Sequence, residues 1–472
     1  MGWFMQRKTV RNGPKPLTFE GPRADCESET ARRERPAAST IAPRPKRLGR
    51  FPVFRATASD QPRAGNDRFN DARLALSLAF TPSQPVIDPA RFAGRSDTLT
   101  TLIRSIEDQR LHVISYGERG IGKTSLIHVL SQAAREARYL VSYISCGADS
   151  AFDEAIRVVA ADIPLIFHKD FGPSSPEGER GDTFADLLAA APLTVRQATD
   201  ALAKVTGTRV LLVLDEFDRV DSSDFRLSVA ELIKGLSDRA ARVQIMIAGV
   251  ARNLTELVDH VPSIQRSVLA LPVFRMTEAE VRELIQIGEE RSDLQFEVAA
   301  RNSVVAAANG LPYLASLLSH HAGLEAINKS RLDVTVADVE ASIAKVLIEQ
   351  RRRISKDAAA RIGTCMDDGA GPVLAGLSNL AQLAGGTFDI DELASAWPGR
   401  AEGVARTRGL VERLVAENVL LERTCGEGGV TYRFADDSMP IYLWLLAAQS
   451  RARDGAASRV RSELSRGAST AV

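Results

Sequence analysis

Apolar residues in the first part of the chain come in short, closely spaced runs. Leu111–Tyr116, Tyr139–Ser145, Val210–Leu214, Val243–Ala248 and Val268–Val273 each read as a strand. The run from Val210 to Leu214 is unbroken, which fits a strand buried on both faces of a parallel sheet. The run from Tyr139 to Ser145 alternates and is rich in β-formers. Between the strands apolar residues recur at helical spacing: Leu99, Leu102, Ile103 and Ile106, then Leu126, Ile127, Val129 and Leu130. Strand–helix alternation predicts an α/β core with a parallel sheet over residues 71–275. Residues 164–183 interrupt it with Pro and Gly and read as an inserted loop.

Beyond 275 the pattern turns helical. Thr277 with Glu280 three positions on is the signature of a helix start. Further helices are expected at 296–308, 311–327 and 335–349, giving a small bundle over 276–345. Leu314, Leu317 and Leu318 belong to its core. A linker helix carrying Arg351-Arg352-Arg353 follows over 346–370. In 371–450 three helices, at 372–383, 388–397 and 404–417, precede two short strands, Val419–Arg423 and Val430–Phe434. Cys425-Gly426-Glu427-Gly428-Gly429 joins the strands, and an apolar helix at 439–448 closes the segment. Three helices followed by a Gly-tipped hairpin make a winged-helix pattern.

The chemistry concentrates where the first strand ends. Gly117-Glu118-Arg119-Gly120-Ile121-Gly122-Lys123-Thr124-Ser125 contains G-x-x-x-x-G-K-[ST], set between a strand and a helix as a phosphate-binding loop requires. Its glycines let the backbone curl so that N–H groups point inward at phosphates. The helix N-terminus adds partial positive charge there. Lys123 supplies a full charge to the outer phosphates, and the Thr124 hydroxyl is placed to hold Mg2+. The second signal is the Asp215-Glu216 pair ending the 210–214 run. Such a strand delivers its last residues to the sheet's carboxyl edge, where ligands bind. Asp215 can hold the metal, directly or through water, and Glu216 can orient or deprotonate the attacking water. The expected cofactors are ATP and Mg2+.

The phosphate loop, the apolar strand ending in Asp-Glu, the strand at 243–248, Arg266 and Gly310-Leu311-Pro312, in that order, resemble an AAA+ ATPase of the origin-recognition-like or archaeal-ATPase-like branch, bordering the STAND signalling ATPases. The resemblance covers about residues 85–345. It implies a five-strand parallel sheet with the phosphate-loop strand near the centre, and a helical lid. It implies that the stretch holding Phe92, Gly94 and Arg95 lies by the adenine and that Pro312 belongs to the nucleotide site. It also implies that Arg266 is an arginine finger reaching a neighbouring subunit's γ-phosphate, with Arg252 the competing candidate, so that a homo-oligomer completes the site. Two positions depart from the family. Ala248-Gly249 stands where a polar γ-phosphate sensor is usual, the nearest polar groups being Arg252 and Asn253. The lid carries proline where replication members carry arginine, as in the STAND branch. Both departures count against fast hydrolysis and leave room for slow turnover or a bind-and-switch cycle.

Composition narrows the remaining choices. The chain has 472 residues, 44% hydrophobic and 25% charged, and no net charge. That allows two or three soluble domains and gives no global pull toward nucleic acid or anionic membrane. Residues 1–64 hold 14 Lys plus Arg against 6 Asp plus Glu and lack apolar periodicity, so 1–70 reads as a disordered basic arm. It could touch nucleic acid, target the protein, or do neither. Residues 451–472 read as a loose basic tail. Four scattered cysteines and six histidines show no metal-ligand spacing. No apolar run is long enough for a membrane span and no signal core opens the chain, so a cytoplasmic address is expected. The winged-helix segment 371–450 holds 6 Arg and no Lys against 10 acids, although Arg406, Arg408 and Arg413 lie on its third helix. An acidic module attracts phosphate poorly, so DNA and protein clients stay open. Three functions remain. One is an AAA+ machine hydrolysing ATP on a DNA or protein client. A second is a slow STAND-like switch in signalling or defence. The third is a DNA-binding winged-helix protein with a structural nucleotide.

Overall fold

The computed structural model describes residues 68–450 except 173, 191, 252–263, 369, 384–386, 390–399, 426–428 and 437. The basic arm up to residue 67, the basic tail from 451, Arg252 and Asn253 lie outside the described residues. The elements in order are α1 (Arg68–Ala79), α2 (Ser96–Glu107), β1 (His112–Tyr116), α3 (Lys123–Glu136), β2 (Leu140–Ser145), α4 (Phe152–Ala161), α5 (Pro176–Arg180), α6 (Val195–Leu202), β3 (Val210–Asp215), α7 (Ser223–Asp238), β4 (Val243–Gly249) and β5 (Val268–Pro272). The lid follows as α8 (Glu278–Ser292), β6 (Gln295–Phe296), α9 (Val298–Ala308), α10 (Pro312–Asn328), β7 (Asp333–Val334) and α11 (Val336–Arg351). Then come α12 (Lys356–Asp367), α13 (Gly371–Leu383), β8 (Thr387–Phe388), α14 (Arg400–Ala416), β9 (Leu420–Cys425), β10 (Gly429–Phe434) and a helix over 439–450.

Strands β1 to β5 form one parallel sheet in the order β2-β3-β4-β1-β5. The phosphate-loop strand is therefore interior, between β4 and β5. The unbroken apolar runs are explained by helices on both faces. Leu211, Val213 and Met246 face the core shared with Leu126 and Leu130 of α3. Leu212, Leu214, Ile245 and Ile247 face the opposite core with Leu232 and Ile233 of α7. Every residue of β3 and β4 is buried.

One polar group is built into this sheet. His112 is 2% exposed. Its Nδ1 accepts the Ile245 N–H at 2.9 Å, so the ring proton sits on Nε2, 3.1 Å from Ser237 Oγ. The Ser237 hydroxyl in turn donates a hydrogen bond to the Ile233 carbonyl. Burial pushes the His112 imidazole down to about 4.

The lid starts where Thr277 and Glu280 predict it: the Thr277 hydroxyl accepts the Glu280 N–H, and the Glu280 carboxylate accepts the Thr277 N–H at 2.8 Å. Helix α1 is not legible from the sequence pattern, and it packs on the lid rather than on the sheet. Leu76 and Phe80 are buried there, and Gly288 of α8 makes room: a β-carbon at 288 would stand 1.9 Å from Phe80 Cζ.

In the C-terminal region α13, α14 and the β9–β10 hairpin lie where the pattern puts them, and β8 adds a third antiparallel strand in the order β8-β10-β9. Phe388, expected to open a helix, instead pairs with Tyr432 in that sheet. Its side chain is buried against Phe434, which favours a strand over the helix read from sequence. The rest of the expected 388–397 helix lies outside the described residues apart from Asp389. The terminal helix reaches back to the lid, where Trp444 Nε1 donates to the Ala307 carbonyl at 2.9 Å. Among the described residues no helix is long and apolar enough to cross a membrane.

Candidate nucleotide-binding site

The loop from Gly117 to Gly122 leaves the carboxyl end of β1 and turns into α3. Gly122, the residue before the helix, has φ +92°, in the left-handed region that glycine tolerates. A β-carbon there would also lie 3.1 Å from Arg95 Nη1 and 3.5 Å from Pro312 Cγ. The first turn of α3 therefore presents its N–H groups beside two other segments of the site. Ile121 anchors the loop by burying its side chain completely, while Arg119 and Gly120 stay exposed at its crown. Thr124 is half-buried in the first turn. The Ser125 hydroxyl accepts the Val86 N–H at 3.0 Å, tying the loop's helix to the preceding segment.

Lys123 is 8% exposed, and its ammonium donates to the carbonyls of Gly117 (2.9 Å) and Glu118 (2.8 Å). Burial lowers its pKa to about 8; Asp218, Asp215 and Glu118 oppose the shift. The lysine thus sits in a dry cradle with acids of the sheet edge within its field. Asp215 is 2% exposed and engaged at both oxygens. Oδ1 accepts the Glu216 N–H and Oδ2 accepts the Tyr143 hydroxyl, each at 2.8 Å. Cys146 stands beside it on the chain after β2, its thiol pushed up to about 12 by burial and then by Asp215, so it stays an inert core group.

Glu216 leaves the strand with φ +55° and is half-exposed. Its Oε2 accepts Ser145 Oγ at 3.1 Å and Arg219 Nη1 at 2.7 Å. Asp218, which the sequence reading did not single out, accepts the Val250 N–H at 2.7 Å and is the acid that most supports the charge on Lys123. The only sequence signal for it is its position three residues after Asp215.

Segment 92–95 is stapled to the lid. Glu283 accepts the Gly94 N–H (3.2 Å) and Glu280 accepts the Arg95 N–H (2.9 Å). Phe92 packs against the core half-buried. The Arg95 guanidinium, 8% exposed, donates to the Ile121 carbonyl of the loop and to the Phe274 carbonyl at 3.1 Å. Burial brings its pKa down to about 10, against the pull of Glu280. Pro312 begins α10 against Gly122, and a β-carbon at Gly120 would lie 3.5 Å from Tyr313 Cβ. Arg95 and Pro312 thus reach the phosphate loop, whereas Gly94 is bound to the lid helix α8 and Phe92 packs on the core.

Glu118 opens a second network that no motif announces. It is buried and paired with Arg275, which follows β5: Nε lies 3.1 Å from both carboxylate oxygens and Nη2 3.0 Å from Oε2. Burial still raises the Glu118 pKa, with Arg275 opposing. Arg275 Nη1 donates to Asn379 Oδ1 of α13 at 2.7 Å, and Asn309 Nδ2 donates to the same oxygen at 2.9 Å. One chain of bonds therefore links the phosphate loop, the strand-to-lid connection, the lid and the C-terminal region.

Arg266 does not join this constellation. It is exposed in the turn closed by Ser267 N–H to Ile264 O (2.9 Å), next to the amino end of β5. The Ser267 carbonyl accepts the His112 N–H, so Arg266 lies by the start of β1, whereas the phosphate loop follows its end. A five-residue strand separates the two edges by roughly 16 Å.

A magnesium ion suits the donors present. Thr124 and Asp215 offer hard oxygen ligands, and Mg2+ commonly takes one or two protein oxygens plus phosphates and water. Among the described residues no group of three or more His, Cys, Asp or Glu side chains is placed to hold a metal.

Known proteins resemble parts of this chain. Residues 91–247 match the family model described as the AAA ATPase domain. Among solved structures the chain is similar to Cdc6p from Pyrobaculum aerophilum, at 14% identity, covering 79% of this chain and 98% of that one with a TM-score of 0.43. It is similar to the RuvB Holliday junction branch migration motor of Thermotoga maritima, at 15% identity, 74% and 94% coverage and a TM-score of 0.39. It is similar to the Aeropyrum pernix Orc1 protein solved in complex with DNA, at 17% identity, 79% and 95% coverage and a TM-score of 0.40. No curated protein matches the chain. The family match spans the phosphate loop, Asp215 and Glu216, and the sheet around them has all five strands parallel. Residues 91–247 of the chain, with the phosphate loop, Asp215 and Glu216 among them, are thus similar to the AAA ATPase domain family.

Proposed function

We propose that this protein binds Mg-ATP and hydrolyses it slowly, coupling the phosphate state to rearrangement or assembly. The observation that carries the reading is Lys123: a buried ammonium on the loop carbonyls, with Asp215 and Asp218 in its field. In this reading the loop amides from Gly117 to Ser125 surround the phosphates and Lys123 exchanges its carbonyl partners for phosphate oxygens. Thr124 and Asp215 hold magnesium, which when bound neutralises phosphate charge. Glu216 orients the attacking water once its bonds to Ser145 and Arg219 loosen. Arg266, remote from its own chain's loop, serves the γ-phosphate of a neighbouring copy. Segment 92–95 and Pro312 border the base. Calorimetry with Mg-ATP tests the reading. Wild type binds, Lys123→Ala loses binding, and Glu216→Gln keeps ATP bound while hydrolysis stops. Hydrolysis per chain that does not change with protein concentration would remove the role of Arg266.

A specific observation favours the switch over the processive machine. Glu118 of the loop is tied through Arg275 to Asn379, so movement at the loop has a direct route to the C-terminal region. We read that region as a winged-helix module whose client is DNA or protein. Nucleotide-dependent protease sensitivity of residues 371–450 is expected. A digestion pattern identical in ADP, in ATP and without nucleotide would count against the switch.

A further inference from the structure

We infer that Tyr143 is a positioning residue for the magnesium site, holding the Asp215 carboxylate in the orientation that a metal needs. The inference rests on the proposed role of Asp215 as a metal-holding group. Three observations meet at this tyrosine. Its hydroxyl donates to Asp215 Oδ2 at 2.8 Å, while the other oxygen accepts the Glu216 N–H at 2.8 Å. Two donors on the two oxygens fix the plane of the carboxylate, and each oxygen keeps a lone pair for a further ligand. Asp215 is 2% exposed, so bulk water is poorly placed to replace a lost donor.

The ring itself is held. His128 of α3 stacks on Tyr143 with centroids 5.1 Å apart and planes 25° from parallel. His128 lies four residues after Thr124, hence on the same helix face, one turn along. The helix that carries the hydroxyl ligand therefore also packs the ring that aims the carboxylate ligand. Tyr143 pairs with Val213 in the β2–β3 ladder, two residues before Asp215, so the phenol reaches along the face of the sheet toward its carboxyl edge. Groups that orient a metal ligand in this way change metal affinity about 10–100-fold when removed.

The test compares wild type, Tyr143→Phe and Asp215→Asn. ADP affinity is measured by calorimetry in EDTA and across a magnesium titration, with the thermal unfolding midpoint of each variant as a check on folding. Tyr143→Phe keeps the ring on His128 and should leave ADP affinity in EDTA unchanged. The magnesium concentration giving half of the metal-dependent gain in affinity should rise about tenfold. In ATP hydrolysis the same shift appears in the magnesium dependence, with a smaller effect on kcat at saturating metal. Asp215→Asn should lose the metal-dependent gain. If Asp215→Asn loses it and Tyr143→Phe follows the wild-type magnesium curve, the positioning role is wrong and the role of Asp215 survives. If Asp215→Asn keeps the wild-type curve, the metal reading fails and the inference with it. A Tyr143→Phe variant that loses ADP affinity equally in EDTA and magnesium would also overturn it, since the effect would then be on packing.

Discussion

The depressed pKa of Lys123 has a direct consequence for binding. Its ammonium is 8% exposed and burial brings its pKa to about 8, so near pH 8 the protein without nucleotide is a mixture of charged and neutral lysine. A bound triphosphate favours the charged form. Its binding therefore takes up a proton, and affinity falls as pH rises through about 8. If only the charged form grips phosphate, apparent affinity scales with the protonated fraction, and going from pH 7 to pH 9 weakens binding roughly tenfold, about 1.4 kcal/mol. An ordinary lysine, with a pKa near 10.4, would change affinity by only about 4% over that range. The phosphates stay largely ionised across this window, since their last pKa is near 6. Calorimetric titration with Mg-ADP at pH 7, 8 and 9, in two buffers of different ionisation enthalpy, measures both the affinity and the proton uptake. Flat affinity with no proton exchange at pH 8 would refute the buried cradle around Lys123.

Three further outcomes follow from packing and buried charge. His112, held neutral with a pKa of about 4 against 6.5 in the unfolded chain, contributes stability that is complete above pH 6.5 and lost as pH falls toward 4. Urea unfolding at pH 7 and 4.5 should differ by on the order of 2–3 kcal/mol more in wild type than in His112→Gln, and equal pH slopes would count against the buried ring. Gly288→Ala should destabilise by about 1–3 kcal/mol because the new methyl meets the Phe80 ring. Helix propensity alone would stabilise by up to about 1 kcal/mol, so the sign of the Tm change decides. Arg275→Ala strands Glu118 in a buried site and should cost about 3–5 kcal/mol in chemical denaturation, with partial recovery on adding Glu118→Gln. No recovery would mean that the loss came from Asn379 or Asn309 instead.

The local parts of the site were legible because their signals are contiguous. The strand before Gly117, the helix after Gly122 and the apolar run ending at Asp215 each declare themselves within a dozen residues. What escaped the sequence depends on partners far along the chain. Glu118 meets Arg275 across 157 positions, and Arg275 meets Asn379 across 104, with nothing in the spacing to announce either. Tyr143 reads as an ordinary strand aromatic until the ladder brings it beside Asp215. Arg95 was expected near the base from resemblance alone; its guanidinium lies on the loop backbone at Ile121, a contact that only the folded loop creates. Phe388 carried helical periodicity on paper, but pairing with Tyr432 outweighed local preference.

Helix α1 gives the lid an unexpected handle. The chain emerging from residue 67 is fastened first to α8 and α10, through Leu76 and Phe80 seated over Gly288 and Gly323, and only afterwards crosses to the sheet. Loosening that seat, by trimming Leu76 or Phe80, would therefore reach α8 and α10 before it reached any strand.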